Sequence, residues 1–152
     1  MLCLMTVTLA GCASPQRAID SRRTLEATIV ALANEMAANA SALDVRSNLH
    51  LIPMTDKVVY VSEGAPITGN EYAKELGASY ASRRSISFRW DHWEITPIAS
   101  NAAVYTGWAT VAVTPSDGPP VTGRYIYTMV FSNDGTGWKR VIAHKSRLRE
   151  DS

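Results

Sequence analysis

Arg124, His144 and Ser146 are the polar residues whose types and positions most invite chemistry in this chain. They lie in two β-branched and aromatic runs, Val121 to Phe131 and Trp138 to Ser146. The break between them, residues 132–137, contains Asn133, Asp134, Gly135 and Gly137. That pattern predicts an antiparallel hairpin whose loop is longer than a two-residue turn. Folded about the middle of the loop, even-numbered residues face even-numbered residues. Arg124 is then expected beside Ser146, and Ile126 beside His144, on one face of the sheet. A guanidinium offers a fixed fork of donors, and a neutral imidazole donates or accepts. Such a group would hold a carboxylate or phenolate. The competing role is structural, tying strands or a helix together inside the fold.

A second constellation is Trp90, His92 and Glu94, spaced by two on one predicted strand, with Thr106 and Trp108 expected opposite them across a turn. A histidine–glutamate pair beside tryptophans would serve as a general acid and base in a dry cavity, where burial raises a carboxyl pKa. Asp91 and Trp93 are expected to point the other way, with Trp93 on a dimer surface. Asp56, just before a short strand, is a further carboxylate candidate, although aspartate at an element end ordinarily caps or turns. The ligand-binding candidates are thus Arg124, His144, Ser146, Trp108, Trp90 and His92, and the catalytic candidates His144, His92, Glu94 and Asp56. The three histidines have no metal-ligand spacing and no glycine-rich phosphate loop is present, so neither metal nor cofactor is expected.

The elements that must position these groups follow from periodicity. Asp20 or Ser21 is placed to cap a long helix with the apolar stripe Leu25, Ile29, Leu32, Met36, Ala40 and Leu43. A short helix is expected from Asp44 to Ile52, stopped by Pro53. Val58 to Val61 reads as a strand, and Glu63 to Ile67 as a loop. Thr68 and Glu71 fit a capping box that opens a helix carrying Tyr72, Leu76 and Tyr80. From Ser85 the period is two. Strands are expected over Ile86–Ile95 and Val104–Val113, followed by a loop at Ser116–Pro120 and the hairpin. Helices first and strands after predict an α+β fold: a cone-shaped barrel with N-terminal helices packed on a curved antiparallel sheet.

The 152 residues suffice for one core, with 46% apolar and 19% charged residues, which excludes wholesale disorder. A formal net charge of +1 gives no electrostatic case for a nucleic-acid partner. Both cysteines, Cys3 and Cys12, lie in the apolar start, which leaves the expected domain without a disulfide. That start is too short to span a bilayer. Its ending, Leu9-Ala10-Gly11-Cys12, resembles the bacterial lipoprotein box, although no basic region precedes it. The resemblance implies a signal peptide over 1–11 and lipidation at Cys12, and composition and the elements above then give a tether over 12–19, one domain over 20–148 and a tail over 149–152. The resemblance also implies a membrane partner through the lipid. Ala13 leans the localisation towards the periplasmic side of the outer membrane of the bacterial cell envelope.

Within the domain, three segments carry a second resemblance: Gly123-Arg124-Tyr125, the turn from Asp134 to Lys139, and the ending Val141 to Ser146. Their order and spacing are similar to the nuclear transport factor 2-like superfamily, in its SnoaL-like branch. The likeness covers nearly all of Ser21 to Leu148. It implies a pocket between the long helix and the concave sheet, and frequent homodimers through the outer sheet face. It does not imply one function, because the superfamily holds enzymes, assembly domains and binding modules. The expected function is a lipid-anchored small-molecule-binding or assembly module for a small acidic or aromatic compound. The alternative is a cofactor-free dehydratase, isomerase or hydrolase that uses a cavity histidine and carboxylate.

Overall fold

The computed structural model describes residues 15–149, so Cys12 and the segment that resembles a lipoprotein box lie outside the described residues. The first helix, α1, runs over Pro15–Ser41. It starts earlier than expected: a proline suits the first turn, where its missing N–H has no partner to lose. Residues 15–19, expected as tether, are therefore helical. Leu25, Ile29, Ala33, Met36, Ala37 and Ala40 form its buried stripe. A short helix, α2 (Val45–His50), is capped by Asp44, whose side chain accepts from the Ser47 amide at 2.9 Å.

Two strands follow, β1 (Val58–Ser62) and β2 (Ala65–Thr68). The segment expected as a loop is thus half strand. Glu63 and Gly64 have φ of 52° and 88°, and Ser62 pairs with Ala65. Positive φ at both central residues is the signature of a two-residue primed turn. Pro66 is tolerated because β2 is an edge strand. Helix α3 (Gly69–Ala81) opens with the expected capping box from Thr68 and Glu71. A β-carbon at Gly69 would lie 2.1 Å from the Pro53 carbonyl oxygen, so the loop and the helix meet only through glycine.

The remaining strands are β3 (Arg83–Ala99), β4 (Ala102–Pro115), β5 (Val121–Asn133) and β6 (Trp138–Arg147). The sheet order is β2-β1-β6-β5-β4-β3. The four long strands form the expected meander, but β1 joins β6 in parallel, with Tyr60 opposite Ala143. The α+β fold with helices on a curved sheet stands, while the sheet itself is mixed and open, not a closed antiparallel cone. One face packs against the helices: Trp90 donates from its indole Nε1 to the Ala33 carbonyl at 3.0 Å. Gly107 makes room there, since a β-carbon would lie 2.4 Å from the Tyr105 ring and 2.7 Å from Trp90.

Two interruptions decide which side chains share that face. In β3 the register shifts between Trp90 and His92, leaving Asp91 as an extra residue. In β6 it shifts so that Phe131 faces Arg140 and Val130 faces Ile142, leaving Val141 extra. An extra residue reverses the facing of everything beyond it. Trp90 therefore points to the helices, whereas His92 and Glu94 point away, opposite Trp108 and Thr106. Trp93 is on the helix side, partly exposed in a groove beside Arg23, Ala27 and Val30 of α1. It does not sit on the outer face where it was expected. The hairpin register also moves by two: Ile126 faces Ser146 and Thr128 faces His144. The loop closes between Asn133 and Trp138, and the extra Val141 adds one more step, so even still faces even.

Candidate functional site

A cavity of about 300 Å³ lies between the helices and the concave sheet. Met36 and Ala40 of α1, Asn48 of α2, and Tyr72, Leu76 and Tyr80 of α3 form one wall. Tyr60, Phe88, Val111, Tyr125 and Tyr127 form the other. Arg140 and Lys145 of β6, Arg83 and Glu75 supply its charges. Five of the chain's six tyrosines line it. Among the wall's rings, Tyr60 and Tyr72 lie 5.0 Å apart, Phe88 and Tyr127 5.6 Å, and Tyr125 and Tyr127 6.4 Å, between centroids.

None of the ligand-binding or catalytic residues expected from the sequence lines this cavity. Arg124 and His144 are exposed on the outer sheet face, and Ser146 is half-buried there. The structure does bring two of them together: Ser146 Oγ is 3.3 Å from His144 Nε2. Arg124 pairs across to Thr110, one strand away from that couple. His92 and Glu94 are also brought together outside, at 3.7 Å, with the His92 ring 5.2 Å from Trp108. Both are well exposed, so the dry environment required for an acid/base pair is missing. Trp90 is buried but acts from behind the wall, with its ring 4.8 Å from Phe88. Asp56 is exposed and accepts from Asn70 Nδ2 at 2.7 Å, tying a loop to α3.

The residue that the sequence reasoning missed is Arg140. It is 3% exposed. The extra Val141 places it in phase with Phe131 and turns it inward. Its amide donates to the Leu51 carbonyl at 2.8 Å, and its guanidinium Nη1 lies 2.8 Å from the Met36 sulfur. The guanidinium carbon is 5.8 Å from the Tyr60 ring centre and 5.3 Å from that of Tyr72. Such contacts contribute on the order of 1–2 kcal/mol when desolvated. A thioether is a weak acceptor, and Arg140 Nε has no hydrogen-bond partner. No carboxylate among the described residues pairs with it. The signal available in the sequence was negative. Tyr125, Tyr127, Met129 and Phe131 mark the odd positions of β5 as the core face, so Arg124 had to lie outside.

Burial governs the ionisation of the cavity's phenols. It pushes the Tyr80 hydroxyl up to about 12, although Asn48 donates to that oxygen at 2.7 Å. Burial likewise raises Tyr60, with Tyr72 adding to it, and raises Tyr127. Tyr105, behind the cavity, is raised by the same cause. These phenols remain neutral donors at ordinary pH. Burial lowers the Lys145 ammonium, against the opposing pull of Glu63, and its Nζ sits 5.2 Å from the Tyr125 ring centre. For Tyr60, Tyr80, Tyr105 and Tyr127, folded values lie above the unfolded value near 10. Their stabilising contribution is therefore complete below about pH 10 and is lost as pH rises from there through the folded values. We predict that the contribution of these phenols makes stability fall steeply above about pH 10. In native protein the phenolate absorbance of the buried tyrosines should emerge only with unfolding. Free titration of Tyr60, Tyr80, Tyr105 and Tyr127 near pH 10 with the fold intact would contradict the buried geometry.

No family model matches the chain, and no curated protein matches it significantly in sequence. Solved structures match it in fold. One is a proposed scytalone dehydratase from Novosphingobium aromaticivorans, with a TM-score of 0.78 at 13% identity, covering 86% of this chain and 89% of the other. Another is a nuclear transport factor 2-like superfamily protein from Salmonella enterica serovar Typhimurium, at 0.77 and 15%, covering 86% and 96%. A third is a hexachlorocyclohexane dehydrochlorinase from Novosphingobium barchaimii, at 0.69 and 11%, covering 85% and 90%. At these identities the likeness concerns architecture, and the chain has the nuclear transport factor 2-like fold that its sequence resembles.

Proposed function

We propose that this chain is a lipid-anchored small-molecule-binding module whose cavity takes a small acidic or aromatic compound. The observation that carries the reading is the composition of the cavity wall. It offers aromatic faces, neutral phenol donors and three basic side chains, Arg83, Arg140 and Lys145, against the single carboxylate Glu75. Its volume of about 300 Å³ lies at the small end of ligand sites, which favours a compact ligand. The enzymatic alternative needs a proton-transfer pair at the reacting atom. No histidine or aspartate lines the cavity, and Glu75 is exposed.

Anchoring rests on the lipoprotein-box resemblance at Leu9-Ala10-Gly11-Cys12. Two residues, Ala13 and Ser14, separate Cys12 from the start of α1, so a lipidated Cys12 would hold the domain close to the bilayer. Stable anchoring takes more than one acyl chain. Assembly would use the outer sheet face. Val104, Trp108, Ile126, Val130 and Ile142 lie on it, and the helices cover the other face. A two-fold interface must be self-complementary. Here Glu94 at one side of the patch and Arg124 at the other supply opposite charges.

Three outcomes are expected. Titration with compact aromatic acids should quench or shift the tryptophan emission of the full chain saturably, and Tyr127→Ala should weaken this by at least tenfold. An emission that no such compound alters would remove the binding reading. Metabolic labelling with a clickable fatty acid should mark the wild-type chain and leave Cys12→Ala unlabelled; equal labelling would exclude the anchor. The domain from residue 15 onward should sediment as a dimer at micromolar concentration, and Trp108→Asp should shift it to monomer. A monomeric wild type would exclude the interface.

A further inference from the structure

We infer that Arg140 is the anion-recognition residue of the cavity. It would seat the carboxylate or phenolate of the ligand beneath the Tyr60 and Tyr72 rings, with the apolar body of the ligand against Tyr127 and Phe88. This rests on the cavity being a ligand site and assigns the class and orientation of its occupant.

Four observations converge on this residue. Arg140 lines the cavity and is 97% buried, from its 3% exposure. An arginine is never deprotonated, so the charge cannot be shed by titration as a buried lysine would shed it. Its neighbours do not neutralise it: two aromatic faces, a thioether and no carboxylate among the described residues. Its Nε is buried without a hydrogen-bond partner. A guanidinium in this position is stabilised most by a planar anion that meets the fork of donors. Native proteins rarely bury a charge unpaired, and a bound anion is one partner that would complete this site.

The other basic groups do not share the role equally. Lys145 is partly exposed, lies against the Tyr125 ring, and feels Glu63 as a nearby negative charge. Arg83 is likewise partly exposed. Arg83 sits in a more open part of the wall, where a charge is hydrated and screened, and Lys145, although partly desolvated, already has Glu63 as a nearby negative charge. The buried end therefore discriminates and the exposed end tolerates. The occupant is an aromatic or apolar monoanion that enters charge-first; a neutral isostere of the same shape binds more weakly, and a cation is rejected.

The test compares matched pairs on the full chain, purified in detergent: phenylacetate with phenylacetamide, and 1-naphthoate with 1-naphthamide, by isothermal titration. The wild type should prefer each acid over its amide by at least tenfold. Arg140→Met should abolish that preference while retaining the weak amide binding, which shows that the cavity survives the substitution. Arg140→Lys should restore part of the preference, because the charge returns without the fork. Equal affinities for acid and amide in the wild type would overturn the assignment and leave the cavity a neutral aromatic site. A preference that persists in Arg140→Met but vanishes in Lys145→Met would overturn it in favour of the exposed end. Binding of neither acid nor amide would overturn both this assignment and the ligand-site reading beneath it.

Discussion

A buried indole N–H needs an acceptor, and Trp90 finds one in the Ala33 carbonyl at 3.0 Å. That bond joins the middle of α1 to the concave sheet. Around it, the rings of Phe88, Tyr105 and Tyr127 lie 4.8, 5.1 and 5.5 Å from Trp90, in the edge-on arrangements that aromatic quadrupoles favour. The helix contributes alanines at 33 and 37, so it can approach the aromatic layer closely. Gly107 does the same from the sheet. This packed zone holds α1 in place. On one side of it α1 turns through α2 towards α3, and there the cavity opens between helices and strands.

The interior of that cavity is a consequence of strand alternation. Residues on a strand face opposite ways in turn, and one extra residue reverses the order beyond it. Val141 does this in β6. Without it, Arg140 would be in phase with Ile142 and His144 and would extend into water. With it, Arg140 is in phase with Phe131 and is enclosed by Tyr60, Tyr72 and Met36. Asp91 has the opposite effect in β3, sending His92 and Glu94 outward. Its own carboxylate is held on that outer face by Thr110 at 2.7 Å and by Arg89. One irregularity thus puts a charge into the cavity, and the other keeps a potential acid/base pair out of it.

Those two placements are the physical basis of the proposed reading as a binding module. Tyrosines held neutral by burial donate hydrogen bonds and present aromatic faces, but they are poor proton acceptors near neutral pH. Arg140 carries a fixed positive charge and cannot serve as a base. The folds that match this one include proteins with enzymatic names, and the shared architecture accommodates either use because chemistry resides in the side chains that line the pocket.

Much of the architecture was legible in the primary structure. The 3.6-residue stripe from Leu25 to Ala40, the capping box at Thr68 and Glu71, and the period-two runs after Ser85 each express a local rule, so α+β order and the four-strand meander follow from neighbours in sequence. The Glu63–Gly64 turn and β2 were hidden because Gly and Pro read as loop, while an edge strand tolerates both. The parallel pairing of β1 with β6 joins residues more than eighty positions apart, and no local pattern specifies it. The site depended on the same distinction. Alternation in β5 already marked Tyr125, Tyr127, Met129 and Phe131 as inward. Whether Arg140, His92 and Trp93 faced in or out turned on single extra residues at Val141 and Asp91. A bulge is fixed by how a strand fits its partner and the layer above it, so only the assembled sheet decided which charge the cavity would contain.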